Sequence, residues 1–177
     1  MAKTLDGIRS IENYQLEDKR VSIRVDFNVP MQNGEITDDT RIQAALPTIR
    51  YAIEKGAKLV LASHWGRPKT AEDRKTMSLE PVARYLTEHL EKEVVLIEEP
   101  SSDAPKALLA GLKPSQIVLL ENLRFDEGEE ANDREFASHM ADYTEIYIND
   151  AFGASHRAHA SIVALPQLVN QRGLGFL

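Results

Sequence analysis

The sequence predicts an α/β domain of three layers, a mainly parallel, Rossmann-like sheet with helices on both faces. Five short apolar runs recur along the chain, four amphipathic helical patterns separate them, and each run stops abruptly at polar residues. In such a sheet the strands all point one way, so whatever follows each strand converges on one rim. The 177 residues are read as a single domain, 1–177, and an apolar content of 42% supports a core of that size.

The first strand is Arg20-Val21-Ser22-Ile23-Arg24-Val25, which alternates apolar with polar and stops at Asp26-Phe27-Asn28-Val29-Pro30. Asn33-Gly34 is a turn signal and implies a small excursion before Asp38. Thr40 then caps a helix whose apolar positions Ile42, Ala45, Leu46, Ile49, Ala52 and Ile53 share one face. Pro47 lies inside that pattern, so the helix is expected to kink or to begin late. Gly56 closes it, and Lys58-Leu59-Val60-Leu61-Ala62 is the second strand, running into Ser63-His64-Trp65-Gly66-Arg67-Pro68.

The polar span 69–76 reads as a mobile surface loop. Ser78 caps the next helix, with Pro81 in its first turn and Leu79, Val82, Ala83, Leu86 and Leu90 on its buried face. Val94-Val95-Leu96-Ile97 is the third strand, and a short helix is expected within 101–112. Ile117-Val118-Leu119-Leu120 is a fourth strand of the kind buried on both faces, ending at Glu121-Asn122-Leu123-Arg124-Phe125. The acidic run 126–130 reads as a solvated loop. Asn132 with Glu135 resembles a capping box for a helix burying Phe136, Ala137 and Met140. The fifth strand begins at Ile146 and changes to polar at Asn149-Asp150.

Composition narrows the function. A net charge of −7 excludes a general nucleic-acid or anionic-membrane surface, because such binding rests on an excess of Lys and Arg. The sequence holds no cysteine, which excludes disulfides and thiolate chemistry. Residues 1–7 carry no apolar run of signal-peptide length and no stretch is long enough to span a bilayer, so a soluble cytoplasmic protein is expected.

Against that acidic background, the strand ends collect Asp26 and Asn28, His64 and Arg67, Arg124, and His156, Arg157 and His159, with Arg41 at the start of the first helix and Arg24 near the end of its strand. Repulsion among these cations is offset most simply by a bound anion. Arginine's planar fork suits phosphate and carboxylate oxygens, while Asp26 and Asn28 can accept from a hydroxyl. The implied ligand is small, polyanionic and hydroxylated. Other chemistries fit less well. His156 and His159 could clamp a metal, but no carboxylate stands beside them at ligand spacing, and no metal site is assigned. Asp26-Phe27-Asn28 has the first acid of an aspartyl-phosphate enzyme but Asn28 in place of the second, so an aspartate-based phosphatase is a minor alternative. Ser63-His64 sits in no Gly-x-Ser-x-Gly elbow, Gly173-x-Gly175 follows no predicted strand, and no phosphate-binding Gly-x-x-x-x-Gly-Lys loop occurs.

Four of these segments together, Arg24 to Pro30, Ser63 to Pro68, Leu119 to Phe125, and Asn149 to Gly153 continued through His156-Arg157-Ala158-His159-Ala160-Ser161, closely resemble the N-terminal lobe of phosphoglycerate kinases. Trp65 departs from the leucine usual there. The resemblance implies a reversible transfer of a phosphoryl group between 1,3-bisphosphoglycerate and ADP with magnesium, in glycolysis. It also implies that Asp26 and Asn28 bind the hydroxyl and carboxylate end of 3-phosphoglycerate, and that His64, Arg67, Arg124 and Arg157 hold the phosphate. Arg41 would be the catalytic residue, reaching the carboxyl group under attack, with Arg24, His156 and His159 completing a basic patch. Mg and ATP or ADP would be bound by a second lobe that this sequence lacks. The tail ends on the apolar pair Phe176-Leu177, so the chain is expected to be a truncated piece, unable to turn over alone and prone to self-association. A stand-alone phospho-ligand binding domain is the other alternative.

Overall fold

The computed structural model describes residues 9–151 and 154–177. Strand β1, Arg20–Val25, lies inside the sheet and pairs in parallel with β4, Lys58–Ala62, on one side and with β7, Ile146–Asp150, on the other. Beyond β4 come β6, Ile117–Leu120, and the edge strand β5, Val94–Ile97; beyond β7 lies β8, Gln171–Leu174. All five pairings of this six-stranded sheet are parallel. A two-stranded hairpin, β2 at Met31–Gln32 and β3 at Glu35–Ile36, turns through Asn33-Gly34 with both residues at positive φ.

The alternation in β1 separates two cores. Val21, Ile23 and Val25 pack with Ile42, Ile49, Leu79 and Leu86 from α1, Thr40–Glu54, and from the start and body of α3, Glu80–Leu90. On the opposite face Val60, Val118, Leu120 and Tyr147 pack with Leu109 of α4, Ala104–Ala110, Phe136 and Met140 of α6, Arg134–Ala141, and Leu165 of α7, Ala164–Leu168. These are the three layers that the sequence predicts.

Several local expectations change. Helix α1 starts at Thr40 and runs through Pro47, which is exposed, so its missing N–H falls on the solvent side. The cap at its start is the Asp38 carboxylate, which accepts from the Thr40 N–H at 2.9 Å. The span 69–76 contains a helical turn, α2 at Asp73–Thr76, because Asp73 Oδ2 accepts from the N–H groups of Lys69 and Thr70. The acidic run folds into α5, Glu127–Glu130, and α6 is capped by Asp133 rather than by Asn132. β8 carries no hydrophobic alternation. It is held by backbone pairing to β7, and Gly173 packs so closely that a Cβ there would sit 2.7 Å from the Arg9 carbonyl oxygen. Among the described residues no helix is long and apolar enough to cross a membrane. Phe176 and Leu177 are 44% and 51% exposed, with Phe176 edge-on to Tyr51.

Candidate functional site

The carboxyl ends of β1, β4, β6 and β7 open on one rim, and hydrogen bonds between the segments that follow them build the site. Phe27 N–H donates to Ser63 Oγ at 2.9 Å, tying the end of β1 to the segment after β4. Asn122, fully buried after β6, accepts from Trp65 N–H at 3.1 Å and donates to the carbonyls of Trp65 at 2.7 Å and Met77 at 3.0 Å. Gly66, at φ 60°, is the junction: its N–H donates to Asn28 Oδ1 at 2.9 Å and its carbonyl accepts from Arg124 Nη1 at 2.8 Å.

Around this junction the single expected crevice resolves into two. A cleft of about 720 Å³ is lined by Arg67, Lys69, Arg124, Arg157 and His159 on its basic side and by Glu130 among its acids. A second depression of about 670 Å³ is lined by Asn28, Arg41, Trp65 and Gly66, the last adjacent in sequence to Arg67 of the first. Arg41 is over half exposed, and its Nη1 donates to the Asn28 carbonyl at 3.0 Å and lies 3.4 Å from Asp26 Oδ1. Asp26 Oδ1 in turn accepts from the Asn28 N–H at 3.0 Å. Arg24 and His64 are 1% and 4% exposed and lie in the core beneath, while His156 is exposed and lines neither depression.

The electrostatics are those of crowded cations. Burial, and after it the charges of Arg24, Arg124, Arg157 and His159, push the His64 imidazole down to about 2, so the ring is neutral. Burial also lowers His159, against the pull of Glu129, and its Nδ1 is buried with no hydrogen-bond partner among the described residues. Arg124 is lowered by burial and by Arg157, Arg24 and Arg67, against Glu130, whose carboxylate lies 3.5 Å from its Nε. Among the described residues no three potential metal ligands gather.

Sequence reasoning missed three residues. Asn122 carries no charge to single it out in its motif, yet it pins the loops together. Glu129, fully buried, lies in a run that composition reads as solvated, and Glu130, exposed as that reading expects, nonetheless reaches to 3.5 Å from Arg124 Nε. The one cue in the run is Gly128 itself, and the structure gives its reason: a Cβ there would come within 2.7 Å of Phe136 Cβ, so the run is packed rather than solvated.

The sequence matches the phosphoglycerate kinase family over residues 11–177. Among curated proteins, the phosphoglycerate kinase of Bdellovibrio bacteriovorus is 59% identical over 177 residues, covering 100% of this chain and 44% of that protein. That of Anaeromyxobacter dehalogenans strain 2CP-1 is 49% identical over 173 residues, covering 97% and 44%. Among solved structures, phosphoglycerate kinase from Coxiella burnetii superposes with a TM-score of 0.86 at 42% identity, over 96% of this chain and 42% of that one. The Pyrococcus horikoshii enzyme gives 0.85 at 33% identity, over 95% and 42%. The chain therefore spans less than half the length of the relatives it matches.

Proposed function

This chain belongs to the phosphoglycerate kinase family, matching its N-terminal portion, and we propose that it is the lobe that binds the 3-phosphoglycerate moiety. The observation that carries the reading is the cleft in which Arg67, Arg124 and Arg157 converge from three different loops of an acidic protein. The 3-phosphate sits among those guanidiniums, each a planar fork matched to phosphate oxygens, with His64 and His159 near by. Asp26 and Asn28, across the Gly66 junction, hold the hydroxyl and carboxylate end. Arg41 is the catalytic residue of this reading: it is exposed, anchored through one Nη, and able to reach the carboxyl oxygen and the phosphoryl group in transfer. Stabilising that charge in a positioned ligand is most of what phosphoryl transfer needs.

On the same reading ADP or ATP with magnesium is bound by a second lobe of the family's proteins; this chain covers 44% of one such relative. On this reading the chain alone binds 3-phosphoglycerate and leaves its turnover to the whole protein. Calorimetric titration of 3-phosphoglycerate at low ionic strength, where exposed charges are least screened, tests this. Saturable binding that is lost in the Arg67→Ala, Arg124→Ala double variant is expected. Binding that survives in that variant, or turnover of ATP and 3-phosphoglycerate by the pure chain, would refute the reading.

A further inference from the structure

Beneath the cleft lies a buried polar network that touches none of the cleft's open surface. Arg24, Glu129 and Ser161 are each at most 1% exposed. Arg24 Nε donates to Ser161 Oγ at 2.8 Å, and the Ser161 hydroxyl donates onward to Glu129 Oε2. Glu129 Oε1 accepts from the Ser161 N–H at 2.7 Å, and its carbonyl accepts from the Ala160 N–H at 2.8 Å. Arg24 Nη2 lies 4.0 Å from Glu129 Oε2 and 2.8 Å from His64 Nδ1.

We propose that Arg24 and Glu129 are positioning residues for the anion cleft: Arg24 holds His64 as the neutral tautomer protonated on Nε2, and Glu129 balances Arg24 while pinning the segment that carries Arg157 and His159. The inference rests on reading that cleft as an anion site. A guanidinium has donors and no acceptor, so the nitrogen it meets must offer a lone pair. With Nδ1 thus occupied, the one ring proton resides on Nε2. The charged and titratable groups near the ring are Arg24 from β1, Arg124 from the segment after β6, and Arg157 and His159 from the segment after β7. Among four such neighbours the neutral ring adds no further buried cation beneath the cleft. The same carboxylate that balances Arg24 takes two hydrogen bonds from Ser161, so the pair couples the ring's tautomer to the placement of the loop.

The test uses the whole chain labelled with 15N-histidine, and sulfate as the probe anion. The wild-type chain is expected to show His64 protonated on Nε2 alone between about pH 5 and pH 8. Removing both buried charges together, in Arg24→Met, Glu129→Gln, avoids stranding either one. In that variant the His64 proton should distribute over both nitrogens, and sulfate affinity should fall by on the order of tenfold, by analogy with the loss of a partner that orients a metal ligand. A purely structural role would lower the unfolding temperature and leave the proton on Nε2. The proposal is overturned if the folded double variant keeps Nε2–H and its sulfate affinity. It is equally overturned if wild-type His64 carries its proton on Nδ1, which decides the matter even where the variant does not fold. Sulfate binding that is absent from the wild type, or indifferent to Arg67→Ala, Arg124→Ala, would instead sink the anion-site reading and leave the tautomer result standing.

Discussion

Acidification should destabilise this chain through His64 well before the carboxylates are protonated. In the unfolded chain the imidazole takes up a proton near its ordinary value of 6.5, whereas in the folded chain burial and neighbouring cations hold it down to about 2. Below 6.5 the unfolded state therefore binds more protons, and stability falls with pH. The penalty is absent above 6.5 and grows by about 1.4 kcal/mol for each pH unit below it, down through the folded-state value. Between about pH 7 and pH 5 this sums to about 2 kcal/mol, or roughly 4–8 °C in unfolding temperature for a domain of this size. His64→Asn keeps an acceptor near the Nδ1 position for Arg24 and cannot titrate. Urea unfolding of both chains across that range should show the wild type losing about 2 kcal/mol relative to the variant. His159 titrates with the same sign and Asp150, raised by burial, with the opposite one, but both are present in each chain and cancel in the difference. A gap between the two chains that stays constant with pH would refute the argument.

Other outcomes follow from particular contacts. Gly128→Ala places a Cβ 2.7 Å from Phe136 Cβ and should cost about 1–3 kcal/mol in urea unfolding, with the loss extending to ligand affinity because α5 frames the cleft. Glu121, buried, accepts from the Leu79 N–H at 2.8 Å and the Ser78 hydroxyl at 2.6 Å, so Glu121→Ala should cost about 1–3 kcal/mol and speed amide exchange in the first turn of α3. Exposed Phe176 and Leu177 should make the chain associate weakly, seen as a sedimentation coefficient that rises with concentration and does so less in Phe176→Ser; concentration-independent sedimentation would count against it.

The inner strands were readable because burial on both faces leaves a run such as Ile117-Val118-Leu119-Leu120 no polar position to hide in. β8 was not, because Gln171-Arg172-Gly173-Leu174 is held at the sheet edge by backbone bonds and presents no buried face to write a pattern with. Likewise, the strand ends declared the cations of the cleft, but not that the crevice would resolve into two depressions, since the loops there are set by one residue, Gly66, serving Asn28 through its N–H and Arg124 through its carbonyl.

Glu129 shows where composition misleads and where charge balance could have corrected it. A run such as Asp126-Glu127-Gly128-Glu129-Glu130 is solvated by default, and most of what pulls it down is invisible locally. Yet Arg24 stands in a strand flanked by strands on both sides, where a guanidinium is stable only beside a carboxylate at similar depth. Of the acids buried among the described residues, Glu121 is committed to the start of α3 and Asp150 to the Leu177 N–H, which leaves Glu129. An arginine in an interior strand thus demands a distant acid, and the acid that answers draws with it the loop on which the other cations ride.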